Sequence, residues 1–272
     1  MSLYRIGIRI APVSDGPNKR GALEPEENGE GATELLQGQG ITKSFGKLIA
    51  LDGVDFFLRK GETLGLVGPN GSGKTTLFNI LSGIYPPTAG AVFYKGNKIV
   101  GESSHALCQR GIARTFQVVQ PFTRMTLLEN VMVGALYGNG QDLAGARRKG
   151  EEILQFVGLK EKIHLFPDSL TTADRRRLEL GRALATHPEV LLLDETMAGL
   201  TPAEIEEAIV LLKNIRDQGV TLFLVEHIMK VVMSLCTRIL VLDYGQKIAE
   251  GTPDEVLKNP QVIKAYLGDR YV

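Results

Sequence analysis

Residues 68–75 read Gly-Pro-Asn-Gly-Ser-Gly-Lys-Thr, directly after the apolar run Thr63-Leu64-Gly65-Leu66-Val67. A run that is apolar throughout suits a strand covered on both faces, as in a parallel sheet wrapped by helices. The following Thr76-Leu77-Phe78-Asn79-Ile80-Leu81 has helical character. Strand, glycine-rich loop and helix in this order let backbone N–H groups curl around phosphates beside the positive end of a helix. The pattern therefore assigns phosphate binding to Gly68, Pro69, Asn70, Gly71, Ser72, Gly73, Lys74, Thr75 and Thr76. Lys74 is expected to reach the β- and γ-phosphates of a nucleotide, and the Thr75 hydroxyl to ligate Mg²⁺.

A second buried run, Val190-Leu191-Leu192-Leu193, ends in Asp194-Glu195. Ligand sites of parallel sheets lie at the carboxyl ends of strands, which puts both carboxylates beside the phosphate loop. Asp194 is expected to hold the metal, and Glu195 to polarise an attacking water as general base. A third apolar run, Thr221–Val225, also reads as a buried strand.

The remaining chain divides by composition. Residues 11–34 are rich in Gly, Pro, Asn and Glu, so 1–35 is expected to be a flexible extension and 36–272 one folded domain. Ile41-Thr42 and Ala50–Leu58 read as strands, and 91–94 with 97–100 as a hairpin about Lys95-Gly96, forming an antiparallel part. The stretch 126–187 reads as helical. In 204–216, Ile205, Ala208, Ile209, Leu212 and Ile215 share one helix face after the Thr201-Pro202-Ala203-Glu204 capping box. The balance of 31 basic and 31 acidic residues argues against nucleic acid as a partner. Cys108 and Cys236 have no metal-ligand or redox spacing. No run reaches the length of a membrane helix, and Arg5 and Arg9 interrupt the first apolar positions, so a cytosolic protein without a secretory signal is expected.

Taken together these residues resemble the nucleotide-binding subunits of ABC transporters. Four features narrow the likeness: Phe45 ahead of the phosphate loop, Gln117 in Ala113-Arg114-Thr115-Phe116-Gln117, His227 after a buried strand, and 169–185, Ser-Leu-Thr-Thr-Ala-Asp-Arg-Arg-Arg-Leu onward, just before the acidic strand. The resemblance spans about 37–270. It implies an α/β P-loop NTPase fold: a RecA-like, mostly parallel sheet, an antiparallel β subdomain, and a helical subdomain inserted at about 118–187. It further implies that Phe45 stacks on adenine, that Gln117 reaches Mg²⁺, that His227 contacts the γ-phosphate, and that ATP with Mg²⁺ is bound and hydrolysed. Two such subunits, identical or related, would close around two ATP molecules. They would sit on transmembrane permease subunits at the inner face of the cell membrane, served indirectly by a substrate-binding protein. The wall of the permease groove would include Val118, Pro121, Phe122 and Met125. Ala198-Gly199-Leu200-Thr201-Pro202, Val225–Met229, Gly251-Thr252-Pro253 and Ala265–Gly268 are similar to the ATPase subunits of branched-chain amino-acid importers. Two alternatives are an ATPase of lipid or lipopolysaccharide export and a soluble, non-transport ABC ATPase.

The family's signature turn is Leu-Ser-Gly-Gly-Gln, whereas here Thr171, Thr172, Ala173 and Asp174 follow Leu170. The resemblance makes these residues the ones that meet the ATP of the second subunit. A hydroxyl survives at 171. If 172 or 173 required φ above zero, a β-carbon would cost about 1–2 kcal/mol and weaken closure. Asp174 is expected either to be offset by Arg175, Arg176 and Arg177 or to cap the following helix.

Overall fold

The structure is a computed structural model that describes residues 34–116 and 120–267. The extension expected at 1–35 lies almost wholly outside the described residues, and Gln117 and Val118 lie outside them as well.

Four strands, β1 (Glu34–Phe45), β2 (Leu48–Arg59), β4 (Ala89–Tyr94) and β5 (Asn97–Lys98), form an antiparallel sheet in the order β2-β1-β4-β5. Six others, β3 (Thr63–Val67), β6 (Ile112–Arg114), β7 (Val190–Asp194), β8 (Thr221–Val225), β9 (Arg238–Asp243) and β10 (Gln246–Gly251), form a second sheet. Its order is β10-β9-β3-β8-β7-β6, parallel except for the terminal β9–β10 hairpin. Every residue of β3, β7 and β8 is buried, as their unbroken apolar character requires.

The helices are α1 (Lys74–Leu81), α2 (Ser104–Arg110), α3 (Leu127–Asn139), α4 (Leu143–Phe156), α5 (Thr172–Leu184), α6 (Pro202–Asp217), α7 (Met229–Leu235), α8 (Pro253–Leu257) and α9 (Pro260–Leu267). One core, containing Leu36, Ile41, Leu58, Phe78 and Phe223, lies between the two sheets and around α1. A second, with Leu193, Ile209, Leu212 and Val231, fills the opposite face of the parallel sheet. A third, with Val131, Ile153 and Leu178, belongs to α3, α4 and α5. Capping residues set where these helices start. Thr126 with Glu129, and Thr201 with Glu204, form reciprocal capping boxes, and Asp142 accepts from the Gly145 N–H. No helix among the described residues is long and apolar enough to cross a membrane.

The structure extends β1 and β2 well past the short runs expected, shortens the 97–100 strand to two residues, and adds β6, β9 and β10. Strand β9 is pinned through Arg238, whose guanidinium bonds the Phe57 carbonyl of β2 at 2.6 Å and Glu62 Oε1 at 2.8 Å. This half-buried arginine ties the two sheets together near the chain's C-terminal part.

Candidate functional site

The carboxyl ends of adjacent parallel strands gather the candidate residues along one edge. The phosphate loop follows β3, Asp194 closes β7 and Glu195 follows it, and Glu226-His227 follows β8. Strand β6 leads to Phe116 at the same edge; Gln117 lies outside the described residues. Such a crevice at strand carboxyl ends is where open α/β sheets bind ligands.

Sterics dictate the shape of the phosphate loop. Gly68 has φ 153° and Gly73 has φ 105°. A β-carbon on Gly68 would lie 2.1 Å from the Leu242 carbonyl oxygen, and one on Gly73 would lie 2.6 Å from the Ala50 carbonyl oxygen. Only glycine fits such positions. Ser72 is held in place by its carbonyl, which accepts from the Gly245 N–H at 3.0 Å. The buried Lys74 ammonium donates to the Gly68 and Pro69 carbonyls, both at 2.8 Å, curling over its own loop. Burial lowers its pKa, while the charges of Glu195 and Asp194 act in the opposite direction. Asn70, Gly71 and Thr75 are exposed, and Thr76 half-buried, at the start of α1, whose first-turn N–H groups have no partner within the helix.

Glu195 adopts φ 49°, a left-handed conformation that a side chain adopts only when its surroundings enforce it. Two contacts brace it. Its N–H donates to the Val225 carbonyl at 3.0 Å, and its Oε1 meets His227 Nε2 at 2.9 Å. Just behind, the buried Glu226 accepts from the Met197 N–H at 3.2 Å, fastening the turn that follows Glu195 to the strand that carries His227. Burial pushes the Glu226 carboxyl up to about 7, with the Glu195 charge adding to the rise and the Met197 N–H opposing it. This carboxylate carries no signal in sequence that separates it from a solvated turn residue.

Asp194 is paired rather than free. Its Oδ2 accepts from Arg114 at 2.7 Å, and both side chains are about nineteen-twentieths buried, at 5% and 6% exposure. Thr75, Arg114 and Asp194 line one cavity of about 660 Å³, together with Glu179 and Arg182. Asp194 Oδ1 carries no hydrogen bond among the described residues, and Asp194 lines the same cavity as Thr75. One free carboxylate oxygen and one exposed hydroxyl at a phosphate loop are a donor set that suits a hard, oxygen-seeking divalent cation. In the sequence Arg114 stands out only as a neighbour of Gln117, with no role of its own, because its partner lies 80 positions away.

Phe45 ends β1 as a residue 43% exposed, its ring resting edge-on against Tyr85 at 5.5 Å, with the Lys43 ammonium 5.1 Å from its centroid. An exposed ring in this setting is available for stacking.

The 171–174 turn departs from what the sequence led us to expect in three ways. Thr172 and Ala173 lie in the first turn of α5 and are not among the residues with positive φ, so the suspected backbone strain is absent. The cap is Thr171, whose hydroxyl accepts from the Asp174 N–H at 3.2 Å, not Asp174 itself. The arginines do not offset Asp174. Arg175 bonds the Asp168 carbonyl, Arg176 faces Glu179, Arg177 pairs with Glu207, and the buried Asp174 is paired with Lys162. The hydroxyl-bearing Thr171 and Thr172 remain exposed. No hydrogen bond or ion pair among the described residues joins this turn to the phosphate loop. Thr172 instead approaches the turn after Glu195, its methyl 3.6 Å from where a β-carbon on Gly199 would sit.

Comparison with known proteins agrees with this geometry. The profile described as ABC transporter matches residues 51–198, and one described as branched-chain amino acid ATP-binding cassette transporter matches residues 246–272. The chain is 38% identical over 250 residues to the high-affinity branched-chain amino acid transport ATP-binding protein BraF of Pseudomonas aeruginosa, covering 86% of this chain and 98% of that one. It is 38% identical over 250 residues to the LivG protein of the same description from Escherichia coli, with the same coverage. Among solved structures, a nucleotide-free ATP-binding cassette from an ABC transporter aligns with a TM-score of 0.79 at 31% identity, over 87% of this chain and 100% of that one. A cassette in its ADP conformation aligns at 0.78 and 31%, over 87% of this chain and 99% of that one. The chain thus belongs to the ABC transporter family, as an ATP-binding cassette with the P-loop NTPase fold and the ATPase subunit of a transporter.

Proposed function

We propose that this subunit powers import of branched-chain amino acids, working as one of a pair of cassettes bound to membrane permease subunits and served by a substrate-binding protein. The C-terminal match over 246–272 and the relatives' transport activity support the substrate class. The observation that carries the catalytic reading is the Glu195–His227 contact at 2.9 Å beside the buried Lys74.

In this reading Phe45 stacks on adenine, the loop from Gly68 to Thr76 wraps the phosphates, and Lys74 exchanges its two loop carbonyls for phosphate oxygens. Thr75, Asp194 and Gln117 would hold Mg²⁺, which supplies charge neutralisation on the phosphates when bound. Glu195 orients and polarises water, and His227 positions both that carboxylate and the γ-phosphate. The N-terminus of α5, with Thr171, Thr172, Ala173 and Asp174, contributes hydroxyl and N–H donors to the ATP held by the second subunit. Because ATP binds the closed pair better than the open one, its binding energy shifts the permease between two states. The subunit then resides at the inner face of the membrane through the permease.

Proteoliposomes carrying the permease, this subunit and a leucine-loaded binding protein are expected to take up leucine only with ATP. Replacing Glu195→Gln should lower hydrolysis on the order of 100-fold or more while nucleotide affinity stays within a few-fold. Hydrolysis unchanged in that variant would remove Glu195 as the base, and uptake of a lipid instead of leucine would replace the substrate class.

A further inference from the structure

Asp194 needs more than its place at the end of β7 to serve a metal. A carboxylate that is about nineteen-twentieths buried is costly to keep charged, and its plane is free to turn about the side-chain bond unless something holds one oxygen. Arg114 does both. One terminal nitrogen donates to Asp194 Oδ2 at 2.7 Å, while the other donates to Asn79 Oδ1 at 2.7 Å and Ser82 Oγ at 2.9 Å. Asn79 belongs to α1, the helix that opens at the phosphate loop, and Ser82 caps that helix. The guanidinium also lies near two aromatic rings, 5.8 Å from the centroid of Phe78 and 5.1 Å from that of Phe116. A rigid planar fork fixed on two sides delivers its remaining bond in one direction, which a flexible ammonium would not do.

We propose that Arg114 is a positioning residue for the metal-binding carboxylate: it claims Asp194 Oδ2, carries the counter-charge, and leaves Oδ1 turned to the cavity shared with Thr75. This rests on the reading of Asp194 as a metal-binding group. It extends that reading by making the α1 C-terminus, through Asn79 and Ser82, part of what aims the carboxylate. Partners that hold a metal-binding carboxylate or imidazole through an outer hydrogen bond typically change metal affinity 10–100-fold when removed.

The test is Mn²⁺ affinity, followed by electron paramagnetic resonance, of the full chain with a non-hydrolysable ATP analogue. Loss of the nucleotide-dependent Mn²⁺ signal in Asp194→Asn checks the underlying reading; its retention there would overturn that reading before Arg114 is considered. With it lost, Arg114→Met is expected to bind Mn²⁺ at least about 10-fold more weakly, with metal-free nucleotide affinity within about 2-fold of wild type. Arg114→Lys, a charge without the fork, should recover melting temperature better than metal affinity. Should Arg114→Met not fold, Asn79→Ala removes one of the bonds that aim the guanidinium and keeps the ion pair; it is expected to weaken Mn²⁺ several-fold. Mn²⁺ affinity within 2-fold of wild type in a folded Arg114→Met, or in Asn79→Ala where the first does not fold, would overturn the proposal.

Discussion

Two loops in this molecule open helices, α1 and α5, and they are built with opposite chemistry. The 68–75 loop is built on glycines whose φ values are forbidden to other residues and whose missing β-carbons make room for the Leu242 and Ala50 carbonyls. The 171–174 turn has no glycine, no positive φ and an ordinary threonine cap. A glycine is required where backbone must wrap a ligand from within a crowded sheet edge, but not where a helix end simply points outward. Threonine and alanine at 172 and 173 therefore add side-chain volume at the exposed start of α5 without straining its backbone. The turn after Glu195 stands between the two cases. There a non-glycine residue, Glu195, is kept at φ 49° by its bonds to Val225 and His227, while Met197 in the turn that follows donates to Glu226.

Breaking the first loop should have the largest effect. Gly68→Ala places its β-carbon against backbone that cannot yield, and is expected to cost about 3 kcal/mol or more and to abolish nucleotide binding, as read by thermal melting and titration. The intermediate case is sharpened by pH. Glu226 has a pKa raised from 4.5 to about 7 on folding, so its contribution to stability is complete below 4.5 and is lost as pH rises through about 7. Glu226→Gln should flatten the decline in stability between pH 5 and pH 8 by on the order of 3 kcal/mol; an unchanged slope in chemical denaturation would contradict it. For the second turn, Thr171→Ala removes the cap of α5 and should cost about 1 kcal/mol. The smallest effect is expected from Thr172→Gly with Ala173→Gly. With no strain to relieve, the pair should lose, not gain, a few tenths to about 1 kcal/mol by unfolding measurements. A gain in stability would mean the turn is strained after all.

What the sequence disclosed and what it concealed follow the range of the interactions. Local chemistry was legible: the phosphate loop, the apolar strands β3, β7 and β8, and the Thr201 capping box all sit within a few residues of the features that cause them. Strand β9 was not expected, although its buried run Ile239–Leu242 is as long and as apolar as the Val190–Leu193 run of β7; unlike that run, it leads into no recognised site motif. Strand β6, at three residues, is too short for any period to show. The site's electrostatics were least legible. Asp174 stands beside three arginines in sequence yet pairs with Lys162, because the helix turns those arginines toward Asp168, Glu179 and Glu207. Asp194 meets Arg114 only once β6 lies next to β7.

The hydrogen bond from Gly245 to Ser72, with its neighbour from Asp52 to Gly245, has a consequence for how the protein comes into being. Residues 68–75 leave the ribosome early, but the segment that fixes their curvature is made about 170 residues later. Contacts of such long sequence separation form late, after the entropy of closing the intervening chain has been overcome. A nascent chain ending before β9 would carry every letter of the phosphate-binding motif and the bonds from Lys74 to Gly68 and Pro69, but not the bond from Gly245 that holds Ser72. Full nucleotide affinity is thus expected only once β9 and the turn after it have been made, and ATP would favour chains in which that turn has docked.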